Sequence, residues 1–216
     1  MKYLKMLALA AVAAGALMAF LGAGTASATV LCSTTADPCP SAQKWGDGTV
    51  LDFSIASGNS AVLVTTTGEE IDTCTGSTVE GEISAANTGT GTLLQKEGTI
   101  AKTGLTWTSC TFPTKTLSTT GSLEVDKIAG TSNGTVTADS EFQVTINTIF
   151  FGSCIYGVTA GTSVGDITEG NPAIFHANAV AEKFSGSNLA CPATSKWTGT
   201  YTQTAPSGTT LSVASS

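Results

Sequence analysis

From Thr49 onward the chain alternates apolar and polar positions with a period of two, as strands with one buried face do. Leu51, Phe53 and Ile55 share one face of TVLDFSI, with Asp52 and Ser54 on the other. A Ser57-Gly58-Asn59 turn leads into SAVLVTTT, and the spacing predicts a hairpin. Val79, Gly81 and Ile83 alternate with Thr78, Glu80 and Glu82 as in a half-buried strand. Asn87 to Gly91 (NTGTG) reads as a loop. In LTWTSC, Leu105 and Trp107 point one way and Thr106, Thr108 and Cys110 the other. Leu123 and Val125 continue the pattern against Glu124 and Asp126.

The most apolar run, EFQVTINTIFFGSC, carries Phe142, Val144 and Ile146 on one side. Ile149, Phe150 and Phe151 then break the alternation, which predicts a central strand buried on both faces or bulged at that point. The stretch 173–184 (AIFHANAVAEKF) has enough alanine for a helix, but its Phe175/Ala177/Ala179/Ala181 alternation favours a strand. KWTGTYTQ sets Trp197, Gly199 and Tyr201 on one face, and TTLSV supplies a closing strand. The expected fold is all-β: an antiparallel β-sandwich, or a soluble barrel-like sandwich, of about 10–13 short strands. An outer-membrane barrel uses the same alternation. Against it, the aromatics are not paired at strand ends and the chain closes in LSVASS rather than an apolar strand end.

The front of the chain has a different texture. Lys2 and Lys5 precede an apolar run from Met6 to Leu21, and Ala26-Ser27-Ala28 offers a small-residue cleavage site. Residues 1–28 are therefore expected to be a signal peptide rather than a membrane anchor, with cleavage after Ala28. Cys32 follows Val30-Leu31, not the small residue that a lipid-modified cysteine requires. Residues 29–48, with two prolines and a Gly-Asp-Gly turn, read as an irregular segment stapled by Cys32 and Cys39. Residues 49–216 read as one β-sandwich domain.

All six cysteines lie beyond the leader, and an even number in an exported chain predicts disulfides. Sequence leaves many pairings open; the local set, Cys32–Cys39, Cys74–Cys110 and Cys154–Cys191, is favoured. The last two close modules of nearly equal length, 74–110 and 154–191. Each carries a Gly-acidic-Ile step, Gly81-Glu82-Ile83 and Gly165-Asp166-Ile167, so an internal two-fold repeat is expected. On the chain-entropy scale each long closure contributes roughly 4 kcal/mol and the short one about 2.5. Zinc is disfavoured, because no pair has Cys-x-x-Cys spacing and the chain has one histidine.

Charge narrows the partners. The chain has nine lysines, no arginine and sixteen carboxylates, for a net charge of −7. Loss of Lys2 and Lys5 with the leader would bring this to −9. Nothing resembles the Lys/Arg cluster that nucleic acid requires. An anionic lipid surface would repel the chain, and no later segment is long and apolar enough to insert across a membrane.

Candidate chemistry is sparse. His176 is the one residue able to serve as base in a Ser-His-Asp or Cys-His arrangement. No Gly-x-Ser-x-Gly elbow accompanies it, and a hydrogen-bonded strand histidine accounts for it more simply. Glu80/Glu82, Glu124/Asp126 and Asp139/Glu141 place two carboxylates on one strand face. They match no calcium loop and no opposed glycosidase pair, so solvated strand faces account for them. The acidic turn Glu69-Glu70-Ile71-Asp72 before Cys74 is a slightly better ion candidate than these pairs, though still a weak one. Trp45, Trp107 and Trp197 are a speculative ligand-binding set, since three indole faces suit stacking on a sugar, although each also suits a core. Asn133-Gly134-Thr135 is a lone glycosylation sequon. No cofactor motif is present.

CSTTADPCP, DTCTGS, GSCIYG and CPATSKWTGTY together resemble a set of exported, six-cysteine, Thr/Gly-rich β proteins of actinobacterial type. That resemblance covers nearly all of the chain beyond the leader. It implies secretion and a disulfide-bonded β fold, and it carries no activity and no catalytic residue. The expected function is a secreted, non-catalytic structural or interaction module, at the cell envelope or outside the cell, with a protein or carbohydrate partner. A carbohydrate- or small-ligand-binding sandwich is the alternative, and an acid-only hydrolase ranks below both.

Overall fold

A computed structural model describes residues 29–84, 87, 90–93, 104–116 and 121–216. The leader, and Thr88 and Gly89 of the expected NTGTG loop, lie outside the described residues. The described residues are all-β and antiparallel, with a single short 3-10 turn among them at Ser41–Gln43. In chain order the strands are β1 (Thr29–Cys32), β2 (Val50–Ile55), β3 (Ala61–Thr65), β4 (Glu70–Ile83) and β5 (Thr90–Leu93). Next come β6 (Leu105–Cys110), β7 (Thr114–Thr116), β8 (Ser122–Lys127), β9 (Gly134–Ala138) and β10 (Phe142–Thr148). The last are β11 (Gly152–Val158), β12 (Ser163–Thr168), β13 (Ile174–Lys183), β14 (Thr194–Ala205) and β15 (Ser212–Ser215). Thr90 and Gly91, expected in a loop, begin β5, and Thr29–Cys32 form a strand within the segment expected to be irregular.

Thirteen of the strands form one sheet that closes on itself. One complete ring runs β2–β4–β5–β8–β9–β12–β13–β14 and returns to β2. A second runs β6–β4–β3–β14–β13–β11–β10–β7. In this ring β6 and β7 follow one another through the Thr111–Pro113 turn without pairing. The long strands β4, β13 and β14 belong to both rings.

Two glycines mark where the shared strands pass from one ring to the other. A side chain at Gly76 in β4 would collide with the Thr108 hydroxyl on β6. One at Gly199 in β14 would lie 2.8 Å from the Tyr201 ring and 3.3 Å from Ile55. Close approach of neighbouring groups at these crossings excludes a Cβ.

Alternation then sorts the side chains. Along β13, Phe175, Ala177, Ala179 and Ala181 are buried, while His176, Asn178, Val180 and Glu182 are exposed. Apolar residues make up most of the ring interiors, with most polar ones outward, the inverse of a membrane-spanning barrel; Asp72, Ser77, Gln203 and Glu80, the last expected on a solvated face, are buried exceptions. No helix among the described residues is long and apolar enough to cross a membrane. Phe53, Phe175, Trp197 and Tyr201 form the partition between the rings, with centroids 5.7–6.3 Å apart in mostly edge-on contacts. The β1–β15 ribbon packs against the first ring and contributes buried Leu31 and Val213.

Three disulfides join Cys32–Cys39, Cys74–Cys110 and Cys154–Cys191. Each of the two long cysteine-closed stretches supplies neighbouring strands of the one sheet: β4 pairs with β5 and β6, and β13 with β11 and β12. Cys74 and Cys110 are direct cross-strand partners on β4 and β6. Alternation alone would turn Cys110 away from the Trp107 face, but Ser109 has φ of 54° and breaks the pattern between them.

Two further expectations are corrected. The runs around Leu51–Ile55 and Ala61–Thr65 do not form a hairpin: β2 and β3 each pair with β4 and β14 and not with one another. The run EFQVTINTIFFGSC is not one central strand buried at its end. Residues 149–151 are the turn of the β10–β11 hairpin, with Ile149 82% and Phe150 80% exposed. The turn is set by the Thr148 hydroxyl, which accepts the Phe151 N–H at 2.8 Å, and by Gly152 at φ 70°.

Candidate functional site

Among the described residues each ring lines a narrow, partly open space. That of the first ring is about 60 Å³ and is bounded by Leu51, Phe53, Val79, Val125, Ile167 and Phe175. That of the second is about 40 Å³, among Leu63, Cys74, Trp107, Phe142, Tyr156 and Trp197. A water needs roughly 10–15 Å³ and two or more polar partners, and the lining of both spaces is almost wholly apolar.

The three tryptophans do not assemble a stacking platform. Trp197 is 7% exposed, and its indole N–H donates to the Tyr201 hydroxyl at 3.2 Å. Trp107 is half-buried and packs edge-on against Trp197 with centroids 6.1 Å apart. Trp45 is half-buried against the core, on the segment before β2, and takes no part in that cluster. Their place in the core follows from alternation: position 197 faces inward with 201, and Trp107 lies directly opposite Ser77 on β4.

A buried polar network runs through the partition. The Ser77 hydroxyl donates to the Thr106 carbonyl at 2.8 Å and meets the Tyr201 hydroxyl at 2.9 Å. Burial pushes the Tyr201 phenol up to about 12, against the smaller opposing effect of its hydrogen bonds with Ser77 and Trp197. Burial alone pushes Tyr156 up to about 12. A phenol held protonated this far above neutrality is a hydrogen-bonding strut and not a base.

Asp72 was legible only as part of an acidic turn, yet it is 2% exposed. Oδ1 accepts N–H bonds from Thr73 at 2.9 Å and Phe112 at 3.0 Å, and Oδ2 accepts the Thr114 hydroxyl at 2.5 Å. The carboxylate therefore bridges the β6–β7 turn, where backbone pairing is missing. Asp72 also lies beside the sulfurs of Cys74 and Cys110, in a grouping with metal-like spacing. Those sulfurs are joined to each other and the carboxylate oxygens are engaged, so the grouping is a structural clasp.

His176 lies in an exposed row across the outer face, between its cross-strand partners Asp166 on β12 and Thr200 on β14. The Thr200 hydroxyl is 3.5 Å from Nδ1. The residue types of a triad are thus adjacent, but on an open strand face with no enclosing cleft among the described residues. The carboxylate pairs are likewise separate. Asp139 accepts the Ser122 hydroxyl and Glu141 the Gln143 amide, each at 2.5 Å. Glu80 lies opposite Asp52 on β2, Glu82 opposite exposed Val50, and Glu124 and Asp126 opposite threonines on β9. Asn133 of the sequon uses its side-chain oxygen to accept the Glu169 N–H at 2.9 Å.

The fold and these groups define an all-β, disulfide-bonded antiparallel protein with an apolar interior and a polar exterior. Comparison of the chain with protein-family models, with curated proteins and with solved structures finds no match.

Proposed function

We propose that the chain is a secreted, non-catalytic β protein that acts as a structural or interaction module at the cell envelope or outside the cell. It works through its outer surface. The observation that carries this reading is the interior: two apolar spaces of about 40 and 60 Å³, divided by an aromatic partition. Drug-sized ligands occupy pockets of roughly 300–1,000 Å³ with convergent polar groups. Three disulfides support an oxidising compartment, and they staple a sheet whose exterior is rich in Thr and Ser.

The test is expression of the complete chain in a secreting host, followed by N-terminal sequencing and non-reducing peptide mapping of each cell fraction. A product beginning at Thr29, outside the cell, with the three pairs linked, is the expected result. Retention inside the cell with reduced thiols overturns the reading.

A further inference from the structure

Exposed apolar side chains gather at one place on the outer surface. Five large apolar side chains are exposed among the described residues: Val50, Ile149, Phe150, Val180 and Leu189. Three of them sit on two adjoining turns at one end of the second ring. Ile149 and Phe150 form the β10–β11 turn, and Leu189, 95% exposed, tips the loop between β13 and β14.

These turns are held side by side. Cys154 is bonded to Cys191, and the Asn188 N–H donates to the Ser153 carbonyl at 2.8 Å. The Ser187 hydroxyl accepts the Ile155 N–H at 2.8 Å and donates to the Ile155 carbonyl at 3.0 Å. The Phe184 N–H donates to that carbonyl as well. Two convex apolar tips fixed to one frame are a built feature, unlike single scattered apolar residues.

Charge indicates what they meet. From Phe142 to Gly165 the chain has no charged residue, and from Phe184 to Ser195 it again has none, in a protein with sixteen carboxylates. Lys183 and Lys196 flank the second stretch, and the Lys183 ammonium donates to the Cys191 carbonyl at 3.1 Å. The carboxylate next to Lys183, Glu182, points outward from β13. Around the tips stand Asn147, Ser153, Ser185 and Asn188, exposed, uncharged and able to hydrogen-bond. Carboxylates are missing where desolvation would penalise them most.

A second copy of the chain is a poor occupant. A stable dimer needs about 800 Å² per partner, and convex tips with three apolar side chains do not supply a self-complementary face of that size. A fluid apolar layer takes convex tips without a matching cavity. The net charge of −7 disfavours an anionic surface. We propose that Ile149, Phe150 and Leu189 insert into the apolar layer of an electrically neutral lipid surface and dock the protein on it peripherally. This is shallow insertion of two turns and not a span. It rests on the reading of the protein as an exported surface-acting module, and it names the partner.

The test uses the oxidised chain beginning at Thr29, which carries every described strand, with phosphatidylcholine vesicles. Co-sedimentation is expected, and Phe150→Asp with Leu189→Asp should lower the bound fraction at least about tenfold. Val180→Asp, which removes an exposed apolar residue away from the turns, should leave binding unchanged. A Phe150→Trp variant should add blue-shifted fluorescence that brominated lipid quenches. Matching thermal unfolding curves would establish that the aspartate variants remain folded.

Three results overturn the inference: no binding of folded protein to neutral vesicles, equal binding by the aspartate variants, or stronger binding to vesicles containing phosphatidylglycerol. A concentration-dependent dimer abolished by Phe150→Asp, without vesicle binding, would assign the tips to a second copy. Failure on vesicles by a protein that is exported and oxidised removes the lipid partner and leaves the proposed function standing. Failure of export removes the function itself.

Discussion

One side-chain amide satisfies both backbone groups of a residue 56 positions away: Asn87 Oδ1 accepts the Leu31 N–H at 2.9 Å, and Nδ2 donates to the Leu31 carbonyl at 3.0 Å. Nδ2 also donates to the Trp45 carbonyl at 2.8 Å. Asn87 is buried at φ 41°, and Leu31 lines the interior of the first ring. The amide therefore fixes the N-terminal strand against the ring that it covers.

Asn87→Ala should cost about 3 kcal/mol, because it strands the buried Leu31 N–H, removes a bond to the Trp45 carbonyl and leaves the Leu31 carbonyl with the Trp45 N–H alone. The left-handed backbone adds about 1 kcal/mol for a residue with a Cβ and no local hydrogen bond. Melting temperature should fall by about 8–15 °C, measured by circular dichroism on the oxidised protein. Asn87→Asp keeps one acceptor but sets a carboxylate against two carbonyls, so it should be nearly as damaging. A loss below about 1 kcal/mol in both variants would show that the amide is not the clamp.

Asn87 also marks where sequence reading runs out. Its turn-rich surroundings, NTGTG, point to a loop, and nothing local says that Leu31 waits for it. Strands with long alternation are different. In β13 the apolar positions 175, 177, 179 and 181 are buried as the pattern requires, because a period of two survives any pairing partner. The hairpin expected of β2 and β3 misleads: the two strands exist, but each pairs with β4 and β14 and not with the other, because a short turn between two alternating runs does not by itself fix the pairing partner. Ring closure is not legible either, since β2 meets β14 through partners such as Ile55 and Tyr201, far apart in sequence. The turn at 149–151 misleads in the opposite sense: three apolar residues argue for burial, and only Gly152 hints at a turn. The tryptophans suit a core or a platform equally until their cross-strand neighbours are known.

The tyrosines allow an optical test. The chain has three, at 3, 156 and 201, so protein beginning at Thr29 carries only the two buried ones. Each phenol is pushed from about 10 up to about 12 by burial. Between pH 10 and 12 the unfolded chain has released these protons and the folded protein has not. Stability is thus undiminished below pH 10 and falls as pH rises toward 12, by up to about 1.4 kcal/mol per pH unit per group. Absorbance at 295 nm should stay flat past pH 10 and then rise together with unfolding. A phenolate signal at pH 10 in folded protein would remove the burial argument.

The same hydroxyl should show coupling. Tyr201→Phe leaves the Trp197 N–H without its acceptor, and Ser77→Ala removes a hydroxyl that also serves the Thr106 carbonyl. Each single change should cost about 1–3 kcal/mol, and the double mutant should cost less than their sum by about 1 kcal/mol. Strict additivity in urea unfolding would mean that the 2.9 Å contact contributes nothing.

Cys154–Cys191 closes a separation of 37 residues. On the chain-entropy scale its removal should cost about 4 kcal/mol, against about 2.4 for Cys32–Cys39 with a separation of 7. It also ties the 149–151 turn to the loop carrying Leu189. Cys154→Ala/Cys191→Ala should therefore accelerate amide exchange around 185–190 more than Cys32→Ala/Cys39→Ala does. Equal exchange in the two variants would show that the hydrogen bonds of Ser187 and Asn188 hold the loop without the sulfurs.

At the acid end the informative group is Asp37. Oδ2 lies 2.6 Å from the Lys127 ammonium on β8, and Oδ1 accepts the Ser215 N–H of β15 at 2.8 Å. The carboxylate thus joins the N-terminal segment to both strands. The hydrogen bond from Lys127, then those from Ser215, hold it down to about 2, against an ordinary value of 3.8. A depressed acid contributes stability that is complete above about pH 4 and is lost as pH falls toward 2. With the Asp37 side chain 38% exposed, solvent screening keeps the contribution to about 1 kcal/mol or less. Asp37→Asn should be less stable than the parent by that amount at pH 7, and the two should converge by pH 2. High salt should shrink the difference at pH 7 by screening the ion pair, leaving the part due to the Ser215 bond. A difference that persists unchanged at pH 2 would mean that Asp37 acts through packing rather than charge.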